Sequence, residues 1–334
     1  MHQLLAPVPP ADQPVLDRAR CIYEQDLSGE INEAMLRDLN SRLGTDIATA
    51  VLYVHFASRL SHCAVGSIHN AADARPLLVA VVPGAFYREH PEVGADGREL
   101  IELSARQTWD CERIPTESLG TPLTNAKIIN SYLSSALQHH RVILVSLSKG
   151  TTDAGVAQAL RPDLFQKLAA WVSVSGVGCG TLMADWLLDK WYLRPILGLM
   201  LWRHGADRQA VSSMRYNSAQ TFKAATDETQ SPIVHIAGFP LQKHLSCRRA
   251  RLWHRRFRTH GPNDSVVLLQ DLLKFPGTVI PVWGADHYLR AGRNAAERVT
   301  QLIAMLDGNS EQNPDIHANS DPSLRTWSQF TARV

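Results

Sequence analysis

The sequence predicts an α/β protein built on a mainly parallel sheet of about six strands flanked by helices. Three observations carry that prediction. Short apolar runs recur from residue 76 onward, helical stretches separate them, and the 334 residues are 45% hydrophobic and 20% charged, enough to bury a sizeable core. Strands this far apart, joined by helices, form right-handed crossovers and a parallel sheet.

The first 75 residues read as a helical segment that covers the main domain, with Ser28 and Asp46 as capping candidates ahead of periodic stretches such as Ile47 to Leu60. Residues 76–307 form the main domain. Its expected strands are Leu77–Val82, Val142–Ser146, Ala170–Ser175, Ile233–Ala237 and Thr278–Val282, with a weaker one at Cys111–Ile114. Gly97–Trp109, Thr124–His139 and Ala291–Leu306 are the helical stretches between and after them. Residues 176–230 break the alternation. They hold Trp186, Trp191, Tyr192, Leu197 and Trp202, dense enough for helices that are apolar on a broad face, and are expected to form a cap entered through a flexible hinge at Gly176, Gly178 and Gly180. The tail, 308–334, is polar and expected to be loosely ordered.

Lys and Arg number 34 against 32 Asp and Glu, so the net charge of +2 excludes a strongly polyionic protein and gives no argument for nucleic-acid binding. Charge is concentrated locally. Lys243, Arg248, Arg249, Arg251, Arg255, Arg256 and Arg258 fall within residues 243–260, either a solvated helix or a basic surface for an acidic partner or anionic lipid. Five dispersed cysteines without a CxxC pair suit a reducing compartment, and Pro7, Pro9 and Pro10 interrupt the N-terminal apolar run, so a cytoplasmic protein is expected. The apolar stretch from Leu182 to Trp202 carries Asp185, Asp189, Lys190 and Arg194, too much charge for a bilayer span. Neither H-E-x-x-H nor a P-loop motif occurs, and no metal or cofactor is expected.

The most informative segment is Ser146-Leu147-Ser148-Lys149-Gly150, which follows an apolar run and passes into a helical stretch. A serine hydroxyl attacks only when a base takes its proton and a strained strand-to-helix turn presents its Oγ, and that turn demands small residues two places to either side. Ser146 and Gly150 are both small. With this motif the chain resembles the α/β-hydrolase superfamily of lipases and esterases over residues 76–306, with Ser146 where the family usually has glycine, and without the first two strands usual in the family. The family's order is serine, acid, histidine. The turn His260-Gly261-Pro262-Asn263-Asp264 resembles its acid loop, and Gly284-Ala285-Asp286-His287 after the last run resembles its histidine loop.

The resemblance implies that Ser148 is the nucleophile, His287 the base and Asp264 the acid, with the backbone N–H groups of Lys149 and Ala85 receiving the oxyanion. At the second of these, Pro83 stands where many members have histidine. Phe86, Trp186, Trp191 and Trp202 are the pocket candidates. The implied substrate is a small carboxylic ester with an apolar portion. A thioesterase or acyltransferase uses the same acyl-enzyme, and a scaffold that only binds an apolar ligand is the non-enzymatic alternative. Plainer readings stand beside each residue. Ser148 as a helix cap, Asp264 as an Asx-turn residue with Asp271 or Asp286 as the acid, and Ser146 as a second nucleophile all fit the sequence. Ser146 and Lys149 also match S-x-x-K, but the partner motifs K-T-G and S-D-N are absent.

Overall fold

The computed structural model describes residues 5, 7–27, 30–60, 73, 75–204, 208–216, 231–245, 247–289 and 295–307. Six strands, β1 (Leu77–Val82), β2 (Asp110–Arg113), β3 (Arg141–Leu147), β4 (Ala170–Val174), β5 (Ile233–Phe239) and β6 (Thr278–Trp283), form a parallel sheet in the order β2-β1-β3-β4-β5-β6. β1, β4 and β5 are buried at every position, as a sheet covered on both faces requires. β2 is an edge strand, half-buried only at Cys111, which is why its run reads weakly in the sequence.

Helices α1 (Gln13–Cys21), α2 (Glu33–Leu43) and α3 (Thr45–Leu60) precede the sheet. Between strands lie α4 (Arg98–Ser104), α5 (Pro122–His139), α6 (Lys149–Leu160) and α7 (Pro162–Phe165). The described part of the insertion after β4 contains α8 (Leu182–Asp189), α9 (Arg194–Arg203) and α10 (Arg208–Ser212); α11 (Arg248–Phe257) precedes β6 and α12 (Ala295–Leu306) follows it. One face of the sheet, through Val79, Val81, Ile143, Val172 and Val282, packs on α4 and α12. The other face is shared. Its β1, β3 and β4 residues, Val82, Leu144 and Trp171 among them, meet α5 and α6. Ala237, Phe239, Val279 and Trp283 of β5 and β6 are covered instead by α1 to α3, with Tyr53 edge-on to Phe239 and Trp283 at 5.9 and 4.9 Å. The N-terminal segment thus completes a helical layer that the crossovers leave open.

Its start is fixed by a buried carboxylate. Asp12 accepts hydrogen bonds from Trp283 Nε1 (2.8 Å) and His244 Nε2 (2.9 Å) and pairs with Lys243. Burial alone would push the Asp12 carboxyl up, but the bonds from Lys243 and Trp283 and the neighbouring His244 outweigh it and hold it below its ordinary value. Asp46, expected to cap a helix, lies one residue inside α3, where its Oδ1 accepts from the Gln242 backbone N–H; α2 is capped by Asn32, and Ser28 lies outside the described residues.

The glycines at the start of the insertion, expected as a hinge, stand against close neighbours. A Cβ at Gly178 would stand 2.3 Å from the Phe275 ring, and one at Gly180, where φ is +82°, would stand 2.1 Å from the Arg215 carbonyl oxygen. They are glycine because neighbours press on them. Among the described residues no helix is long and apolar enough to cross a membrane, and no group of His, Cys, Asp and Glu is arranged to hold a metal ion. The expected polar tail lies outside them.

Candidate active site

Ser148 occupies the turn between β3 and α6 with φ +48° and ψ −116°, a conformation that side chains rarely adopt and that is retained only where the surroundings enforce it. Those surroundings are hydrogen bonds and a steric demand. The Ser148 N–H donates to Val174 O (2.9 Å), and its carbonyl accepts from Thr151 N (3.0 Å) and Val177 N (3.1 Å). Two residues on, a Cβ at Gly150 would lie 2.6 Å from the carbonyl oxygens of both Val82 and Pro83, so α6 can approach the end of β1 only with glycine there. Ser148 makes no side-chain cap to α6, which removes the helix-cap reading. Ser146 is fully buried below the turn, where its Oγ accepts from Trp171 Nε1 (2.8 Å) and bonds to Thr151 Oγ1 (2.9 Å). It is not exposed for attack.

The half-buried Ser148 Oγ lies 2.9 Å from His287 Nε2, and His287 Nδ1 lies 2.8 Å from Asp264 Oδ2. The other Asp264 oxygen accepts the backbone N–H groups of Val266 (2.9 Å) and Val267 (2.8 Å). Asp264 is therefore an Asx-turn residue and the partner of His287 at once. Because the carboxylate only accepts, His287 places its proton on Nδ1 and leaves Nε2 to accept from Ser148 Oγ–H. The competing carboxylates are engaged elsewhere. Asp271 accepts from Tyr216 Oη (2.9 Å) and Lys274 Nζ (3.2 Å), and Asp286 accepts from the Tyr288 backbone N–H (3.0 Å).

The turn after β1 abuts the elbow: a Cβ at Gly84 would be 3.4 Å from Ser148 Cβ, and Gly84 N–H is tied to Ala95 O at 2.8 Å. Ala85 and Phe86 are half-buried just beyond it, Phe86 with φ +58°. Lys149 opens α6, where backbone N–H groups lack intrahelical acceptors. Its side chain turns away from the serine. Lys149 Nζ is buried 2.8 and 2.7 Å from the two oxygens of Asp153, which also accepts from Asn125 Nδ2 (2.7 Å). Burial pushes the Asp153 carboxyl up, opposed by the Lys149 ammonium and the Asn125 amide. Asn125 in turn bonds the backbone of Glu117, so one network joins α5, α6 and the loop after β2. The i, i+4 spacing of Lys149 and Asp153 is the signal that could have revealed it.

The tryptophans depart from expectation. Trp191 and Trp202 are 76% and 78% exposed, on the surface of the insertion rather than sheltered beneath it. Trp186 is half-buried, edge-on to Trp253 of α11 at 5.2 Å with the Arg256 guanidinium 4.3 Å above its ring. Apolar residues of the cap pack inward through Leu188, Leu197 and Leu201 instead. An aromatic ring that sequence reasoning missed, Tyr288, stands 5.5 Å edge-on to the His287 ring, while Phe86, in the turn after β1, has its ring 6.2 Å from that of His90. A cavity of about 20 Å³ behind Asp264, lined in part by Ser175, Gly178 and His235, has room for a water molecule and none for a substrate.

The sheet order, the elbow and the placement of the site at the carboxyl ends of the strands define the chain as having the α/β-hydrolase fold. No protein-family model and no curated protein matches the chain. Solved structures do. A metagenomic carboxyl esterase is similar over 71% of this chain and 72% of its own, with TM-score 0.51 and 18% identity. The mature form of a Bacillus licheniformis lipase is similar over 69% of this chain and 90% of its own, with TM-score 0.50 and 18% identity. The propeptide form of that lipase gives TM-score 0.53 and 19% identity over 72% of this chain and 51% of its own.

Proposed function

We propose that the chain is a serine hydrolase that cleaves carboxylic esters through an acyl-enzyme on Ser148. The observation that supports this best is the unbroken hydrogen-bonded chain from Ser148 Oγ through His287 to Asp264, mounted on a turn with φ +48°. As Oγ attacks the ester carbonyl, its proton passes to His287 Nε2, and Asp264 stabilises the imidazolium through Nδ1. The carbonyl oxygen becomes an oxyanion, held by the N–H groups of Lys149 and Ala85. On collapse the C–O bond to the leaving group breaks and the alkoxide takes the proton from Nε2. Water then attacks the acyl-serine, giving a proton to His287 Nε2; the C–Oγ bond breaks, Ser148 Oγ takes that proton back, and the carboxylic acid is released. The Tyr288 ring against His287 and the half-buried Phe86 in the turn that abuts the elbow favour an ester with an apolar portion, and the similar structures include an esterase and a lipase.

Hydrolysis of p-nitrophenyl esters tests this. The wild type should turn over acetate and, with each added methylene contributing at most about 0.8 kcal/mol, butyrate several-fold better in kcat/KM. Ser148→Ala should lose roughly 10⁴-fold or more. Equal rates for the two proteins would remove the hydrolase reading.

A further inference from the structure

Helix α9 is apolar on two sides. Leu197 and Leu201 face α8, while Ile196, Leu199 and Trp202, one turn apart on the opposite side, are 66%, 65% and 78% exposed. Trp191 and Tyr192, just before the helix, add two aromatic rings at 76% and 51% exposure. Of the nine exposed large hydrophobic side chains among the described residues, these five fall within residues 191–202. Such a cluster marks an interaction surface. Its partner is indicated by the charges around it. Lys190, Arg194 and Arg203 bracket α9 and are exposed, while the acidic residues of α8, Asp185 and Asp189, are both bonded to Arg215 (3.4 and 2.6 Å).

Helix α8 also touches a second cationic element. Trp186 packs on Trp253 and beneath Arg256, so α11 adjoins the cap, and its residues Arg248, Arg249, Arg251, Arg255 and Arg256 are all exposed, with Leu252 55% exposed among them. Exposed tryptophans and aliphatic residues rimmed by arginines are what a lipid headgroup region with negative charge receives: rings at the interface, guanidinium groups on phosphates. A protein partner of ordinary surface would bury the apolar face without requiring so many cations. We infer that the α9 face and α11 form a docking surface for an anionic lipid bilayer.

The test uses the full chain and no turnover, so it stands apart from the hydrolase reading. Flotation with phosphatidylcholine vesicles containing phosphatidylglycerol should carry the wild type upward, vesicles of phosphatidylcholine alone should not, and added salt should weaken the association. Replacing Trp191 and Trp202 together by Ala should weaken partitioning about tenfold or more. Arg248→Gln with Arg249→Gln and Arg255→Gln should weaken it roughly 100-fold, about fivefold for each arginine near the surface. Both variants alter exposed side chains, and an unchanged melting temperature confirms their folding. Equal association with the two kinds of vesicle, none with either, or wild-type binding by both variants would overturn the inference. A dimer in sedimentation without vesicle binding would overturn it too, and assign the face to a second copy of the chain.

Discussion

Ser146 and Ser148 are two residues apart on the same strand end, yet opposite sides of the backbone give them different chemistry. Ser146 faces the core and accepts from Trp171, whereas Ser148 has a positive φ in a turn whose close approach to the end of β1 requires Gly150. Ser146→Ala should therefore leave ester hydrolysis within a few-fold of wild type while lowering stability by about 1–3 kcal/mol, because the Trp171 N–H loses its acceptor. Melting and kcat/KM on the same variant check both halves, and a large activity loss at wild-type stability would contradict this assignment. The acid is tested in the same way. Asp264→Asn retains an oxygen for the Val266 and Val267 N–H groups but presents an amide to His287, so activity should fall on the order of 10⁴-fold with the fold intact. Asp286→Asn should have little effect. If the two results were exchanged, Asp286 would be the acid.

At the scale of single elements, α6 begins with a charged pair that the core encloses. Removing the ammonium strands the Asp153 carboxylate, so Lys149→Met should destabilise by about 3–5 kcal/mol, and adding Asp153→Asn should recover part of that. Urea midpoints of the single and double variants measure the recovery; a single variant as stable as wild type would show that the pair is dispensable. The strands were legible in the sequence because β1, β3, β4, β5 and β6 are buried on both faces and read as continuous apolar runs. The elbow was legible because steric demand at Gly150 and the strand before Ser148 leave a local pattern. Other features were not, for physical reasons. Apolar content in residues 182–202 announces helices but does not say which ring faces solvent, as those of Trp191 and Trp202 do. The glycines at 176–180 look alike whether they supply freedom or make room for Phe275 and Arg215. Asp264 and His287 lie in loops whose order matches a family, while the hydrogen bond between them exists only after 23 intervening steps of chain have folded.

Across the whole molecule, two histidines report how firmly the layers are closed. His55, in α3 against Tyr23, and His235, in β5 with Nε2 donating to Pro276 O (2.9 Å), are buried, and burial lowers each from 6.5 to about 4. The unfolded chain takes up these protons near pH 6.5 and the folded chain only near 4, so stability is full above pH 6.5 and falls as pH drops through that window, by about 3 kcal/mol per histidine at its lower end. His235→Gln, which keeps a donor for Pro276, should reduce the fall in urea midpoint between pH 7 and pH 5. An unchanged fall would mean that His235 is not held neutral by the fold. Closure of the layers matters because the elbow hangs from them: Ser148 is fixed through β3, β4 and the turn after β1, and His287 through the end of β6, beneath which α1 to α3 lie. The claim that this scaffold makes Ser148 a nucleophile is tested most directly by intact-protein mass spectrometry after treatment with a fluorophosphonate. The account predicts a single adduct on the wild type, mapping to the peptide that contains Ser148, and none on Ser148→Ala. An adduct of equal yield on both proteins, or none on the wild type, would contradict it.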